Sequence, residues 1–178
     1  FIPLLLLERN ISLSGESKTG TKIFWYSWLS FGLWNLFTTW WIANAHWSGL
    51  MMTVLVNGAL MALVMVLFHF VKRKLGNQRG YIGLPFLWIC LEVLHRNWDL
   101  SFPWLNLGNG FAANPEWVQW YEHTGTMGGT LWIWITNLTL FGAIVAFQQN
   151  KQVKSLAIRI TGVAVLLIIL PIALSYNR

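Results

Sequence analysis

An all-α integral membrane protein, a multi-pass helical bundle with five complete transmembrane helices and the end of another, is the fold that this 178-residue sequence predicts. Three observations lead there. Hydrophobic residues make up 56% of the chain and charged residues 10%, with a mean hydropathy of +0.52, where an average soluble domain is about 25% charged. So few charges cannot cover a water-facing surface without exposing large apolar patches, which excludes a soluble enzyme or a disordered regulator. The apolar residues fall in runs close to the roughly 20 that cross a bilayer. The 12 Lys and Arg sit in short clusters between those runs, a pattern of membrane topology and not of nucleic-acid binding.

The elements follow in order. Residues 1–7 are too short to span and read as the tail of a helix. With no initiator Met and no signal-peptide basic region, the chain is expected to be a fragment cut inside a membrane helix. Residues 12–20 form a polar loop. The complete spans are expected at residues 23–44, 50–71, 81–97, 130–147 and 156–176. The third carries Pro85 in its first turn, where proline is tolerated. Arg9, Lys18, Lys22, Lys72, Arg73, Lys74, Arg79, Lys151, Lys154 and Arg159 then share one side, against Arg96 and Arg178 on the other. The positive-inside rule makes the ten-residue side cytoplasmic and sends the C-terminus to the outer face. One cysteine, Cys90, excludes a disulfide-stapled domain; within an apolar run it is expected to be a buried, inert packing thiol.

The outer connections carry the unusual residues. Trp40, Trp41, Trp47, Trp98, Trp104, Trp117 and Trp120 all fall at or near that interface. They are consistent with an aromatic belt or with a platform that contacts lipid. In the outer-face segment 98–129, Pro103 and Pro115 with Gly108 and Gly110 predict a folded, non-helical loop. Phe102, Pro103, Trp104, Trp117, Trp120 and Tyr121 are the candidates for facing substrate or lipid. Glu92, His95 and Arg96 share one face of the third span. Glu92 and Arg96 are either an ion pair that positions the loop or a direct substrate or headgroup contact. His69 lies at a cytoplasmic helix end, where a cation complements the dipole. Glu122 and His123, as helical neighbours, are not expected to face each other. His46 has no partner at ligand spacing; no metal site and no cofactor are expected.

Glu92-Val93-Leu94-His95-Arg96, Phe102-Pro103-Trp104 and Leu107-Gly108, led by Trp88, resemble apolipoprotein N-acyltransferases. So does Gln119-Trp120-Tyr121-Glu122-His123-Thr124-Gly125-Thr126-Met127-Gly128-Gly129, with Asn137 in the span after it. Gly32 through Trp40-Trp41-Ile42 and the opening Phe1-Ile2-Pro3-Leu4-Leu5 extend the likeness over nearly the whole chain. Asn109 stands where many members have Tyr. The resemblance implies transfer of an acyl chain from a membrane phospholipid to the N-terminal amine of a diacylglyceryl-cysteine on a lipoprotein. It implies a thioester on a catalytic cysteine of an outer-face, nitrilase-like domain with a Glu–Lys–Cys triad. That domain is expected after residue 178, with residues 1–178 forming the transmembrane domain in a bacterial inner membrane. No catalytic residue is expected within this chain. Its six lysines all lie on the cytoplasmic side, and Cys90 lies in the third span near the outer boundary. A ~30 Å core separates them, where a nucleophile needs its partners within roughly 3 Å. The fragment alone is therefore expected to be inactive. A transporter or channel module and a non-catalytic scaffold subunit are the competing readings; no internal repeat favours the first.

Overall fold

The computed structural model describes residues 1–99, 101–149 and 154–176, and every regular element among them is helical. The helices are α1 (Ile2–Leu13), α2 (Thr19–Thr39), α3 (Trp47–Met52), α4 (Gly58–Leu75), α5 (Asn77–Arg96), α6 (Tyr121–Gln149) and α7 (Lys154–Tyr176). A π-helical turn, Thr53–Asn57, joins α3 to α4, so that Trp47–Leu75 is one continuous helical rod. Lys151 and the C-terminal exit with Arg178 lie outside the described residues.

Three helices are long and apolar enough to cross a membrane: Trp47–Leu75, Tyr121–Gln148 and Ser155–Tyr176. The expected spans at 23–44 and 81–97 do form helices, α2 with 21 residues and α5 with 20. They fall short on hydropathy because α2 is rich in Trp, Ser, Asn and Thr, and α5 has polar residues at both ends. In α7 the apolar side chains face outward; Leu166, Ile169 and Leu170 are 63, 56 and 57% exposed. An apolar surface of that kind is what lipid covers.

The chain divides into two compact units: Pro3–Leu91, and Glu92–Arg178 together with Phe1–Ile2. In the first, α2 packs along α4. The crossing is close because Gly32 meets Gly58; a Cβ on Gly58 would stand 3.3 Å from the Gly32 Cα. Small residues allow such approach where lipid offers no hydrophobic drive. Beside them Asn57 Nδ2 donates to Asn35 Oδ1 at 2.8 Å, both residues being buried. Ile23, Phe31, Met61, Met65, Phe68, Leu84 and Trp88 fill the apolar interior. His46 starts α3 as its cap, its Nδ1 accepting the Ser48 N–H at 3.2 Å.

In the second unit α6 packs against α7. Helical geometry in α6 is interrupted at Gly125, whose φ of 63° and ψ of −173° suit glycine. Residues 121–124 therefore form a separate short helical turn, and the uninterrupted helix follows Gly125, a few residues ahead of the predicted 130. Between α5 and α6 lie the 3-10 turns Pro103–Leu105, Leu107–Phe111 and Pro115–Trp117, in the folded, loop-like manner that the prolines and glycines there predict. Cys90 corrects the expectation of burial, for it is exposed. The inward face of α5 runs through Leu84, Trp88, Leu91, Glu92 and His95, and Cys90 lies off that stripe.

Candidate functional site

Glu92 has the most elaborate surroundings in the second unit. It is 3% exposed, near the end of α5. Its Oε1 accepts the Leu107 backbone N–H at 2.8 Å, and its Oε2 accepts the Thr130 hydroxyl at 2.7 Å. Thr130 Oγ1 accepts the Gly108 N–H at 3.1 Å in turn. Two consecutive backbone donors of the Leu107–Phe111 turn are thus held by one carboxylate and one hydroxyl. The turn sits directly on α6. A Cβ on Gly108 would fall onto the Thr126 carbonyl oxygen, and one on Gly129 onto the Tyr121 hydroxyl. Tyr121 closes the far side, its hydroxyl donating to the Gly108 carbonyl at 3.0 Å.

Arg96, one helical turn after Glu92, reaches the same segment. Its Nη2 donates to Thr126 Oγ1 at 2.7 Å. The Asn106 amide, oriented by its neighbours' donors, places its oxygen 3.2 Å from Arg96 Nε and 3.2 Å from Nη2. Glu92 and Arg96 therefore both hold the 98–129 segment, which ties their shared helix face to loop geometry. His95 is 6% exposed, and neither ring nitrogen has a hydrogen-bond partner among the described residues; its ring lies 5.7 Å from that of Trp98.

The aromatic candidates separate into two sets. Trp117, Trp120 and Tyr121 are fastened. Trp117 Nε1 donates to the Tyr176 hydroxyl at 3.1 Å. The Ser175 hydroxyl donates to the Trp117 carbonyl at 3.0 Å and accepts the Gln119 N–H at 3.1 Å. The end of α7 is in this way stitched to residues 117–119. Trp120 packs edge-on against Tyr121 and Trp132, at 4.8 and 5.6 Å between centroids. Phe102 precedes Pro103 with φ −140° and ψ 66°, and the Pro103 carbonyl accepts Asn109 Nδ2 at 3.0 Å. Trp104 projects outward and is 65% exposed. Below this rim lies an apolar cleft of about 190 Å³, lined by Phe111, Trp117, Trp132, Asn137, Ile168 and Ile172 among others.

Glu122 and His123 do meet, contrary to the helical-neighbour expectation, at 3.0 Å on an exposed surface. They lie in the short turn before the Gly125 kink, and so exposed a pair contributes little. No group of three or more His, Cys, Asp or Glu among the described residues could hold a metal ion.

The first unit contains a polar cluster that sequence reasoning missed. Glu8 of α1, 1% exposed, is ion-paired with Lys72 of α4, and its Oε1 lies 2.7 Å from His69 Nδ1. The Ser12 hydroxyl donates to Glu8 Oε1 at 2.7 Å, and Thr19 Oγ1 lies 3.0 Å from His69 Nε2. His69, read above as a partner of the helix dipole, is fully buried and held by side chains instead. The available signal was a lone carboxylate in an apolar helix, with His and Lys spaced i, i+3 on another.

An aromatic-rich, internally clamped loop set on apolar helices defines a helical membrane domain, built from side chains that position a surface. The chain matches the model of the apolipoprotein N-acyltransferase N-terminal domain over residues 1–139, and it belongs to that family. It is 30% identical over 178 residues to an apolipoprotein N-acyltransferase from Chlorobaculum tepidum, covering 99% of this chain and 31% of that protein. The chain thus spans about a third of the length of that curated relative. No solved structure matches it.

Proposed function

We propose that this chain is the membrane domain of an enzyme that moves an acyl chain from a membrane phospholipid to the N-terminal diacylglyceryl-cysteine of lipoproteins. Family membership supports the reaction class. In this reading α2 and α5 also cross the bilayer, giving five crossings with the basic loops in the cytoplasm and the C-terminus on the outer, periplasmic face of a bacterial inner membrane. The domain carries no catalytic triad. It supports a nitrilase-like catalytic domain beyond residue 178 and admits the phospholipid acyl chain to it.

The observation that carries this reading is the fastened rim. Glu92, Thr130 and Arg96 fasten Asn106, Leu107, Gly108 and Thr126, while Trp104 is presented outward and an apolar cleft is lined by Phe111, Trp117 and Trp132. Rigid amphipathic rings suit headgroup depth, with apolar faces toward acyl chains. A site held in one geometry by its supporting hydrogen bonds positions a reacting chain at low entropic cost. The test is to give the full-length protein phospholipid labelled in its acyl chain. A labelled thioester that then passes to a diacylglyceryl-lipopeptide is expected. Failure of the inserted protein to acquire label from any phospholipid would contradict the reading.

A further inference from the structure

The first unit has an amphipathic groove unrelated to the aromatic rim. Its volume is about 510 Å³, and it is lined by the start of α2 and by α4. Phe24, Leu63 and Phe70 line it with apolar side chains, and Lys18 and Arg73 line it as well, Arg73 Nη1 donating to Thr19 Oγ1 at 3.5 Å. No carboxylate lines it. Neither Lys18 nor Arg73 is ion-paired among the described residues; Glu16 is occupied by Lys22, and Glu8 by Lys72. Lys18 also has a left-handed φ of 60°, the only positive φ among described non-glycine residues, a conformation rare for a long side chain and often kept where a site needs it. Leu63 and Phe70 are 46 and 48% exposed, so the apolar wall needs a cover.

From this geometry we propose that the groove binds one anionic phospholipid from the leaflet on the basic-loop side, its phosphate between Lys18 and Arg73 and an acyl chain along Phe24, Leu63 and Phe70. Charge complementarity selects the ligand. Two cations with no carboxylate partner among the described residues, in a groove otherwise lined largely by apolar side chains, match an anionic headgroup on an acyl tail, as basic pockets between membrane helices do. A zwitterionic lipid offers its own ammonium and gains less. The proposal does not depend on acyl transfer.

Native mass spectrometry of the full-length protein tests it, with phosphatidylglycerol and phosphatidylethanolamine of matched acyl chains as probes. Phosphatidylglycerol should bind preferentially. Each near-surface cation is worth roughly a fivefold change in affinity, so Lys18→Gly with Arg73→Gln should weaken phosphatidylglycerol roughly 25-fold and leave phosphatidylethanolamine nearly unchanged. Lys18→Gly suits the left-handed backbone, so lost binding would not report misfolding. Leu63→Trp keeps the charge but narrows the channel, and it too should weaken phosphatidylglycerol. Equal binding of the two lipids, or an unaffected Lys18→Gly/Arg73→Gln protein, would overturn the proposal. Full phosphatidylglycerol affinity in Leu63→Trp would overturn it as well, because attraction would then be to surface charge and not to the groove.

Discussion

Thr130 donates its hydroxyl hydrogen to Glu92 at 2.7 Å and accepts the Gly108 N–H at 3.1 Å, so one side chain locks the turn to two helices. All three residues are buried. Thr130→Val keeps the shape and deletes both bonds, leaving the buried Gly108 N–H without the hydroxyl that accepts it. A buried group stripped of its partner costs about 1–3 kcal/mol. Thermal unfolding of the full-length protein in detergent should show that loss, with Thr130→Ser close to the parent.

Gly108 and Gly110 lie two residues apart but should respond differently. A Cβ at Gly108 collides with the Thr126 backbone, whereas nothing lies within 4 Å of a Cβ at Gly110. Gly108→Ala should sharply reduce the amount of folded protein, and Gly110→Ala should leave it unchanged. Fluorescence-detected size exclusion of the two variants side by side provides the comparison.

Glu8, His69 and Lys72 predict a third outcome. Removing one member of a buried ion pair strands the other charge, at about 3–5 kcal/mol. Glu8→Gln should therefore destabilise strongly. Glu8→Leu combined with Lys72→Met, which removes both charges, should recover much of the loss. A double-mutant cycle on thermal stability measures that coupling.

Sidedness can be tested with cysteines placed at Gln78 and Asn109 after Cys90→Ala, a small apolar change that suits an outward position on an apolar helix. A membrane-impermeant thiol reagent added to spheroplasts should label Asn109→Cys and not Gln78→Cys. Labelling of Gln78→Cys from outside would reverse the assigned orientation.

The helices were legible where run length and hydropathy agree: α7, expected at 156–176, spans Lys154–Tyr176. Periodicity gave the shared face of Glu92 and Arg96, because i and i+4 lie one turn apart. It could not give their partners. Leu107 and Thr130 lie 15 and 38 residues from Glu92, and only folding brings them together. Glu8 escaped notice for the same reason, its partners being 61 and 64 residues away. The turn at residues 121–124 was not legible, because the non-helical Gly125 separates it from the long helix that follows. Cys90 was misjudged because an apolar run says nothing about which side of a helix faces the protein interior.

Whether the rim guides an acyl chain is tested most directly at Trp104, the rim candidate that projects outward and is 65% exposed. The measurement is the rate of acyl-thioester formation on full-length Trp104→Ala, divided by the amount of correctly inserted protein. A guiding rim predicts normal insertion with slowed thioester formation. A well-inserted Trp104→Ala protein that forms the thioester at the parent rate would contradict the account and leave these rings as membrane anchors alone.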